Sequence, residues 1–412
     1  MGYSGTEQSM KVELRMADRG HSGAQLRTFG VEEELLLVDP GTARPVAVAQ
    51  SVLSGEGLLP GAGSETGMSA DTVPVPITST LALEVKQEQI EVVGPPCHTL
   101  AGVSSAIRAG RARADAAARL VGARAVAMAT AVGPLTTHLV STPRYETMLS
   151  RFGLIMKEQL TCGYHVHVAV NSAEEGVAVL DRIRVWLPVL LALSSNSPFW
   201  QGKDTGYASY RYQAWSRWPS AGTYEIFGSA EGYRQVVDSM LGTGVLLDEG
   251  MVYFDARLSR HHPTVEIRVA DVCLEADHAA TVAALVRALV ETAAREWRAG
   301  QPPEPVSALE LRLASWRASK SGMTDDLINP LTSRPCAPEA AVVALISHVG
   351  RALQESGDLS EVERVLGRIL TEGSGAERQR SAMERWGSGL AVVTAALEFT
   401  HSGSPVALPD PA

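Results

Sequence analysis

Hydrophobic positions recur every second residue in several separated stretches of this chain. "FGVEEELLLVD" (29–39), "QIEVV" (89–93), "YHVHVAV" (164–170) and "TVEIRVADV" (264–272) all alternate. Such alternation predicts β-strands, because successive side chains of an extended backbone point to opposite faces. Asp39-Pro40 and Pro95-Pro96 end the first two runs. Helical periodicity governs 98–122, 174–194 and 276–299, and 337–400 reads as helices only, broken at "ESGD" and "EGSGAE". Regular helices do not separate the strands, so a doubly wound parallel sheet is not expected. The pattern predicts an α+β fold with a largely antiparallel sheet. Residues 1–26 read as a flexible N-terminus, 54–78 in part as loop, 27–400 as a single catalytic domain with a helical part at 337–400, and 401–412 as a tail.

The strand alternation sorts the chemistry. Glu32 and Glu34 share one face of their strand, with Val31, Glu33 and Leu35 on the other. His165 and His167 share a face, as do Glu266 and Arg268. Glu91 opposes Ile90 and Val92, and Glu84 lies seven residues upstream, two turns away if that segment is helical. In one sheet, these polar faces could line one cavity. Crowded carboxylates repel, which raises their pKa values or opens the site. Divalent cations remove the conflict, and Mg²⁺ or Mn²⁺ prefers oxygen ligands with an occasional imidazole. For any one strand alone, a solvated polar face is the commoner explanation. Glu33, on the opposite face, reads as a salt-bridge partner or surface residue. Zinc would suit two histidines and a glutamate, but the excess of carboxylates favours magnesium.

Charge and composition narrow the partners. The chain has 412 residues and a net charge of −10, which speaks against nucleic acid. Its apolar runs are too short to span a membrane. The four cysteines, Cys97, Cys162, Cys273 and Cys336, are scattered without CxxC spacing, which suits a reduced, cytoplasmic protein. A glycine- and aromatic-rich loop, "SPFWQGKDTGYASYRYQAWSRWPSAG", carries Lys203, Arg211 and Arg217. Lys203 and Arg211 are candidates to orient a phosphate or a substrate carboxylate. Trp200, Trp215 and Trp218 read as core or interface anchors. The sequence lacks a GxxxxGK[ST] phosphate loop. Arg268 is either the ion-pair partner of Glu266 or a stabiliser of a transferred phosphoryl group.

The strings "FGVEEELLLVD", "QIEVVGPPC", "TCGYHVHVAV", "LLALSSNSPFWQGKDTGYASYRYQAWSRWPSAG", "PTVEIRVADV" and "GSGAERQR" occur in the order and approximate spacing of the carboxylate–amine ligase family, the bacterial glutamate–cysteine ligase type 2 group. The resemblance covers roughly residues 27–385. It implies a glutamine synthetase-like fold, with a curved antiparallel sheet forming an open cavity and helices outside. It also implies ATP-dependent joining of a carboxylate to an amine, with glutamate as donor through its γ-carboxylate. The GxExE pattern of more distant glutamate–cysteine ligases falls on Gly30, Glu32 and Glu34. Their acidic pair falls on Glu84 and Glu91, their strand histidine on His165, and their ExR strand on Glu266 and Arg268. By the resemblance these carboxylates and the histidine hold magnesium, and the arginine faces the ATP phosphates. Trp316-Arg317 matches a late Trp-Arg pair.

Two departures stand out. The family's "THP" string is replaced by "ATAVGPLTTH", so its histidine is missing or displaced to His138, and Lys320 stands where arginine is commoner. Both leave the acceptor amine open: cysteine, another amino acid or a simple amine. The reaction implied is phosphorylation of a carboxylate, then attack of an amine on the acyl phosphate. Two alternatives stand beside it. A metal-dependent amide hydrolase built on His165, His167 and the glutamates would act without nucleotide. A non-catalytic homologue would bind nucleotide or metal without releasing ADP. By analogy a homodimer through the apolar helices is possible.

Overall fold

A computed structural model describes residues 26–56, 79–134 and 136–402. Residues 1–25, the Gly/Ser/Pro-rich stretch from 57 to 78 and the tail from 403 lie outside the described residues. The main sheet has seven strands: β1 (Phe29–Val38), β2 (Thr80–Leu83), β3 (Gln89–Val93), β4 (Arg124–Val126), β5 (Gly163–Ala169), β8 (Ala256–Leu258) and β9 (Thr264–Asp271); β6 (Phe199–Trp200) and β7 (Lys203–Asp204) form a separate hairpin. The order is β2-β3-β1-β5-β9-β8, with β4 also pairing with β1, and every strand pair in this sheet is antiparallel. The four alternating stretches are all strands of this one sheet. β4 and β8, only three residues each, were too short to show a period.

Helices cover the outer face of the sheet. The helix Leu100–Arg119 starts at the side-chain cap of Thr99 and packs near β3, where a Cβ on Gly110 would collide with Val92. The long helix Ala276–Arg298 runs behind the sheet, and Tyr164 of β5 donates its hydroxyl to the carbonyl of Ala279. Val31, Val166, Val168 and Ile267 project outward into this core, together with Val282 and Leu285 of the helix. The apolar stretch 174–194, expected as one helix, is two: Ala173–Ile183 and Leu187–Ser194, the second with proline in its first turn. The C-terminal part is four helices, Pro338–Ser356, Leu359–Glu372, Gly375–Trp386 and Gly389–Thr400. Left-handed glycines at Gly357 and Gly387 end two of them.

Outward-facing Glu33 is 1% exposed and takes a two-pronged ion pair from Arg111, Nη2–Oε1 2.6 Å and Nε–Oε2 3.0 Å. Arg111 also donates to the carbonyls of Cys273 and Leu274, so its donors are satisfied where water is absent. This bond ties helix, strand and the chain beyond β9 together.

Asp255, just ahead of β8, is buried and accepts a hydrogen bond from the Tyr212 hydroxyl at 3.0 Å. Burial pushes its carboxyl up to about 7. The folded state therefore holds a proton that the unfolded state releases near pH 4. This contribution to stability is whole below pH 4, declines as pH rises, and is gone above about pH 7.

Two measurements follow from the fold. Arg111→Met should lower the unfolding free energy by about 3–5 kcal/mol in urea titrations, because Glu33 is left buried and unpaired. Wild type should also lose stability relative to Asp255→Asn between pH 4 and 7, by on the order of 4 kcal/mol, with parallel curves outside that window.

Candidate active site

Strand register gathers the inner-face residues into a line. Glu34 pairs with Glu91 across β1 and β3, and Glu32 pairs with His165 across β1 and β5. His167 pairs with Glu266 across β5 and β9, and Glu266 pairs with Arg257 across β9 and β8. Directly opposed residues share a face, so five strands deliver their polar groups to one side. The pairing of β5 with β9 slips between Tyr164 and Val166, a bulge at His165 opposite Arg268 and Val269. Glu84 arrives differently from the helical spacing considered above. It lies at the end of β2, on the turn into β3, where Ala82 pairs with Glu91. A hairpin, and not two helical turns, bridges the seven residues.

The side chains meet around one cavity of about 330 Å³. His165 Nδ1 lies 3.2 Å from Glu32 Oε2, and His167 Nε2 lies 3.4 Å from Glu32 Oε1. Three overlapping groups bring one ligand atom per residue within 4.8 Å of each other: Glu32, Glu91 and His165; Glu32, His167 and Glu266; Glu34, Glu84 and Glu91. Gly163 leaves room beside them, because a Cβ there would displace the Arg211 guanidinium and crowd His165. Its N–H donates to Glu34 Oε2 at 2.6 Å.

Electrostatics divide the five glutamates of the cavity. Burial alone would push Glu266 up, but Arg268, Arg257 and the two histidines outweigh it and hold the carboxyl well below the usual range. Glu32 behaves likewise: burial opposes ionisation, yet His165 and His167 keep it ionised. Glu84 has no such partner. Burial and then the Glu34 charge push it up to about 8. Glu91 is driven up by burial and by Glu84, Glu32 and Glu34. Burial, with Arg268, lowers the His165 pKa, so its imidazole is neutral and free to donate a lone pair. Carboxylate-rich groups with neutral imidazole at these separations fit a hard divalent cation, which would relieve the repulsion felt by Glu84 and Glu91.

The residues anticipated from sequence therefore fall into two sets. Glu32, Glu34, Glu84, Glu91, His165, Glu266 and Arg268 all line the cavity. Arg268 is ion-paired with Glu266, and its buried Nε has no partner. Lys203 and Arg211 do not line it. Lys203 is exposed on the β6–β7 hairpin. Arg211 is buried below the bulge, donating to the carbonyls of Arg268 and Val269 and lying 3.7 Å from Asp271. Lys320 and Trp316 meet Tyr207 at another surface, and His138 binds Glu88 at 2.6 Å. Trp215 and Trp218 line the cavity, whereas Trp200 stacks near Tyr210.

Several lining residues had not been singled out: Lys86, Arg144, Gln159, Arg257 and the turn Arg260–His262. Arg257 forks onto Glu266, with Nε–Oε2 2.7 Å. A signal for it existed in "ARLSRHHPTVEI", where a hairpin about His262-Pro263 would set Arg257 opposite Glu266. Lys86, Gln159 and the 260–262 segment lie between elements, without period, and Arg144 lies on the helix Pro143–Phe152, whose pattern gives no hint of the cavity.

An open antiparallel sheet with helices on its outer face and an acidic, metal-competent inner face defines the glutamate–cysteine ligase class of fold. The family model for glutamate-cysteine ligase family 2 matches residues 28–396, and the chain belongs to that family. A "Putative glutamate--cysteine ligase 2-1" of Paenarthrobacter aurescens is 54% identical over 377 residues, covering 92% of this chain and 96% of its own length. A protein of the same name from Streptomyces avermitilis is 48% identical over 376 residues, covering 91% of this chain and 100% of its own. Among solved structures, a glutamate–cysteine ligase from Francisella tularensis in complex with AMP superimposes with a TM-score of 0.62 at 12% identity, covering 93% of this chain and 90% of that one. That likeness concerns the fold.

The split among the carboxylates gives an expected crossover. Without metal, Glu91→Gln should melt no lower than wild type at pH 8, since a carboxyl whose ionisation burial and three neighbouring carboxylates oppose is gone. With millimolar Mg²⁺, wild type should gain about 2–3 kcal/mol, as for a ligand at roughly a hundred times its Kd, and the variant less than half of that. Differential scanning calorimetry with and without EDTA reads both arms.

Proposed function

We propose that the protein joins a substrate carboxylate to an amine at the expense of ATP, with glutamate as donor through its γ-carboxylate and an amino acid or simple amine as acceptor. The observation that carries this reading is the convergence of Glu32, Glu34, Glu84, Glu91, His165 and Glu266 on one cavity that also holds Arg268. Membership of the family supplies the reaction class. A relative in fold solved with AMP is in keeping with an adenine nucleotide as co-substrate. The catalytic unit is proposed to span residues 27–400.

A carboxylate resists attack by an amine, because its carbonyl is electron-rich and oxide is a poor leaving group. Transfer of the γ-phosphoryl group of ATP to the carboxylate oxygen gives an acyl phosphate and ADP. The amine then attacks the acyl carbon, the C–O bond to phosphate breaks, and the amine proton is lost, leaving an amide and inorganic phosphate. Glu32, Glu34, Glu84, Glu91, His165 and Glu266, with His167 beside them, would hold magnesium, manganese serving as well. Such a cation, when bound, neutralises phosphate oxygens and so favours phosphoryl transfer. Arg268 is placed to stabilise the transferred group. Its pairing with Glu266 fixes the guanidinium on the cavity face, and its free Nε offers a further donor. Glu266 is itself held between Arg257 and Arg268, so neither arginine can leave without exposing a buried carboxylate.

Arg211 acts one layer down in this reading. Its donors hold the carbonyls of Arg268 and Val269, opposite the bulge that aims His165. It is a positioning residue, and Lys203 has no part at the cavity.

The test is ADP release from ATP with Mg²⁺, glutamate and a panel of amines. Glu34→Gln and Arg268→Ala should each lower kcat/KM about 10²–10³-fold, Glu34→Gln while melting near wild type and Arg268→Ala with some loss of stability from the weakened pairing of Glu266. EDTA should abolish turnover, and Mg²⁺ or Mn²⁺ should restore it. Wild-type turnover in both variants would sink the assignment.

A further inference from the structure

Any ligase of this kind must hold the charged end of its amino-acid donor, and the loop cations Lys203 and Arg211 do not reach the cavity. The arginines that do reach it face carboxylates already. Arg257 and Arg268 hold Glu266, Arg144 forks onto Asp248, and Arg260 lies 3.5 Å from Glu249.

Lys86 differs from all of them. It is 1% exposed, lines the cavity, and among the described residues has no carboxylate within ion-pair distance. Its Nζ donates to Thr137 Oγ1 at 2.6 Å and to the carbonyl of Lys157 at 3.3 Å. An ammonium carries three donors, so one is left over, and the acid that acts on its charge, Glu88, does so without ion-pair contact and is itself bound by His138. Burying a cation against neutral groups is unfavourable unless an anion joins it. A second observation lies two residues beyond the carbonyl that Lys86 binds. Gln159, 5% exposed, also lines the cavity; its Nε2 donates to Thr161 Oγ1 at 2.6 Å, while its buried Oε1 has no partner. Turning the amide over only moves the deficiency to the nitrogen. A cation without an ion-paired carboxylate and an amide oxygen without a partner thus line the same cavity.

We infer that Lys86 and Gln159 bind the head group of an α-amino acid, the α-carboxylate on Lys86 Nζ and the α-ammonium on Gln159 Oε1. This deepens the ligase reading and rests on it for the name of the donor. The match is one of charge and count. The carboxylate supplies the missing anion, and the ammonium supplies the missing donor. The side-chain carboxylate is then free to extend along the cavity toward the phosphoryl-transfer residues. Amines lacking an α-carboxylate would gain nothing from Lys86.

Equilibrium binding reads this without turnover. L-Glutamate and 4-aminobutyrate, which keeps the carboxylate to be activated and lacks the α-carboxylate, are titrated calorimetrically into the full chain with Mg²⁺ and a non-hydrolysable ATP analogue. Wild type should prefer glutamate by about 10–100-fold, the range expected for a hydrogen bond to a charged group. Lys86→Gln, which keeps a donor for Thr137 and Lys157, should weaken glutamate alone and erase the preference. Lys86→Arg should restore part of it. Should the glutamine variant fail to fold, Gln159→Leu carries the test and should weaken glutamate about tenfold. Equal weakening of both ligands by Lys86→Gln, unchanged glutamate affinity in either variant, or a wild type without preference would overturn the assignment. Failure of the ligase reading shows separately, as absence of ADP release from a wild type that still prefers glutamate.

Discussion

Like charges brought together away from water repel strongly, and this protein sets five glutamates around one cavity. Each is handled by a different device. Glu32 lies between two imidazoles, Glu266 between two guanidinium groups, and Glu34 against the N–H of Gly163. Glu84 has one backbone N–H from Val85, and Glu91 faces mainly other carboxylates. Compensation is therefore complete at one end of the line and missing at the other. That gradient, more than the number of acids, marks where external positive charge belongs. Residues 32–34 show the contrast within three positions, since Glu33 turns outward and is neutralised internally by Arg111.

The sheet exists to hold that gradient in place. Antiparallel register fixes Glu34 against Glu91 and His167 against Glu266, and a slip of one residue would bury the acids and expose the valines. The bulge at His165 breaks the alternation once, where Arg268 and Val269 oppose a single residue. Outer helices lock the register from behind through Arg111 and Tyr164. The C-terminal helices reach the same region. Gln379 bonds Asn196, whose N–H donates to Asp271, and Asp271 also holds Ser197 and Ser209 near Arg211. The string "GSGAERQR" thus serves support: Ser374 and Glu377 form a capping box and Arg380 forks onto Asp204.

What could be seen in the sequence was whatever has a period. Alternation revealed β1, β3, β5 and β9 and sorted Glu32, Glu34, Glu91, His165 and Glu266 onto one face, because a strand's geometry is local. It also separated Glu33 from its neighbours. Glu84 had no local pattern, and the family resemblance alone marked it, since a hairpin brings it in. In the loop of 197–222, glycine, arginine and aromatics suggested ligand binding for Lys203 and Arg211; the loop's aromatics largely pack on one another, Lys203 is exposed on the β6–β7 hairpin, and Arg211 donates to two backbone carbonyls with its Nε unpartnered. Nothing in a single sequence says whether an arginine will meet a ligand or a carbonyl.

Cations follow the same logic as the acids. Of the positive groups around the cavity, each arginine has a carboxylate opposite it and helps to keep that carboxylate ionised, and Arg268 alone of those paired with Glu266 keeps an unpartnered buried Nε besides. Lys86 is a cation with no acid in ion-pair contact among the described residues, and it lies on the same turn as Glu84, an acid with no cation in such contact. The two are separated by one residue and do not pair, although both are largely enclosed. A fold that simply minimised its own electrostatic energy would have joined them. Keeping them apart leaves one site short of positive charge and a neighbouring site short of negative charge, which is the arrangement needed when metal and a carboxylate-bearing substrate arrive together.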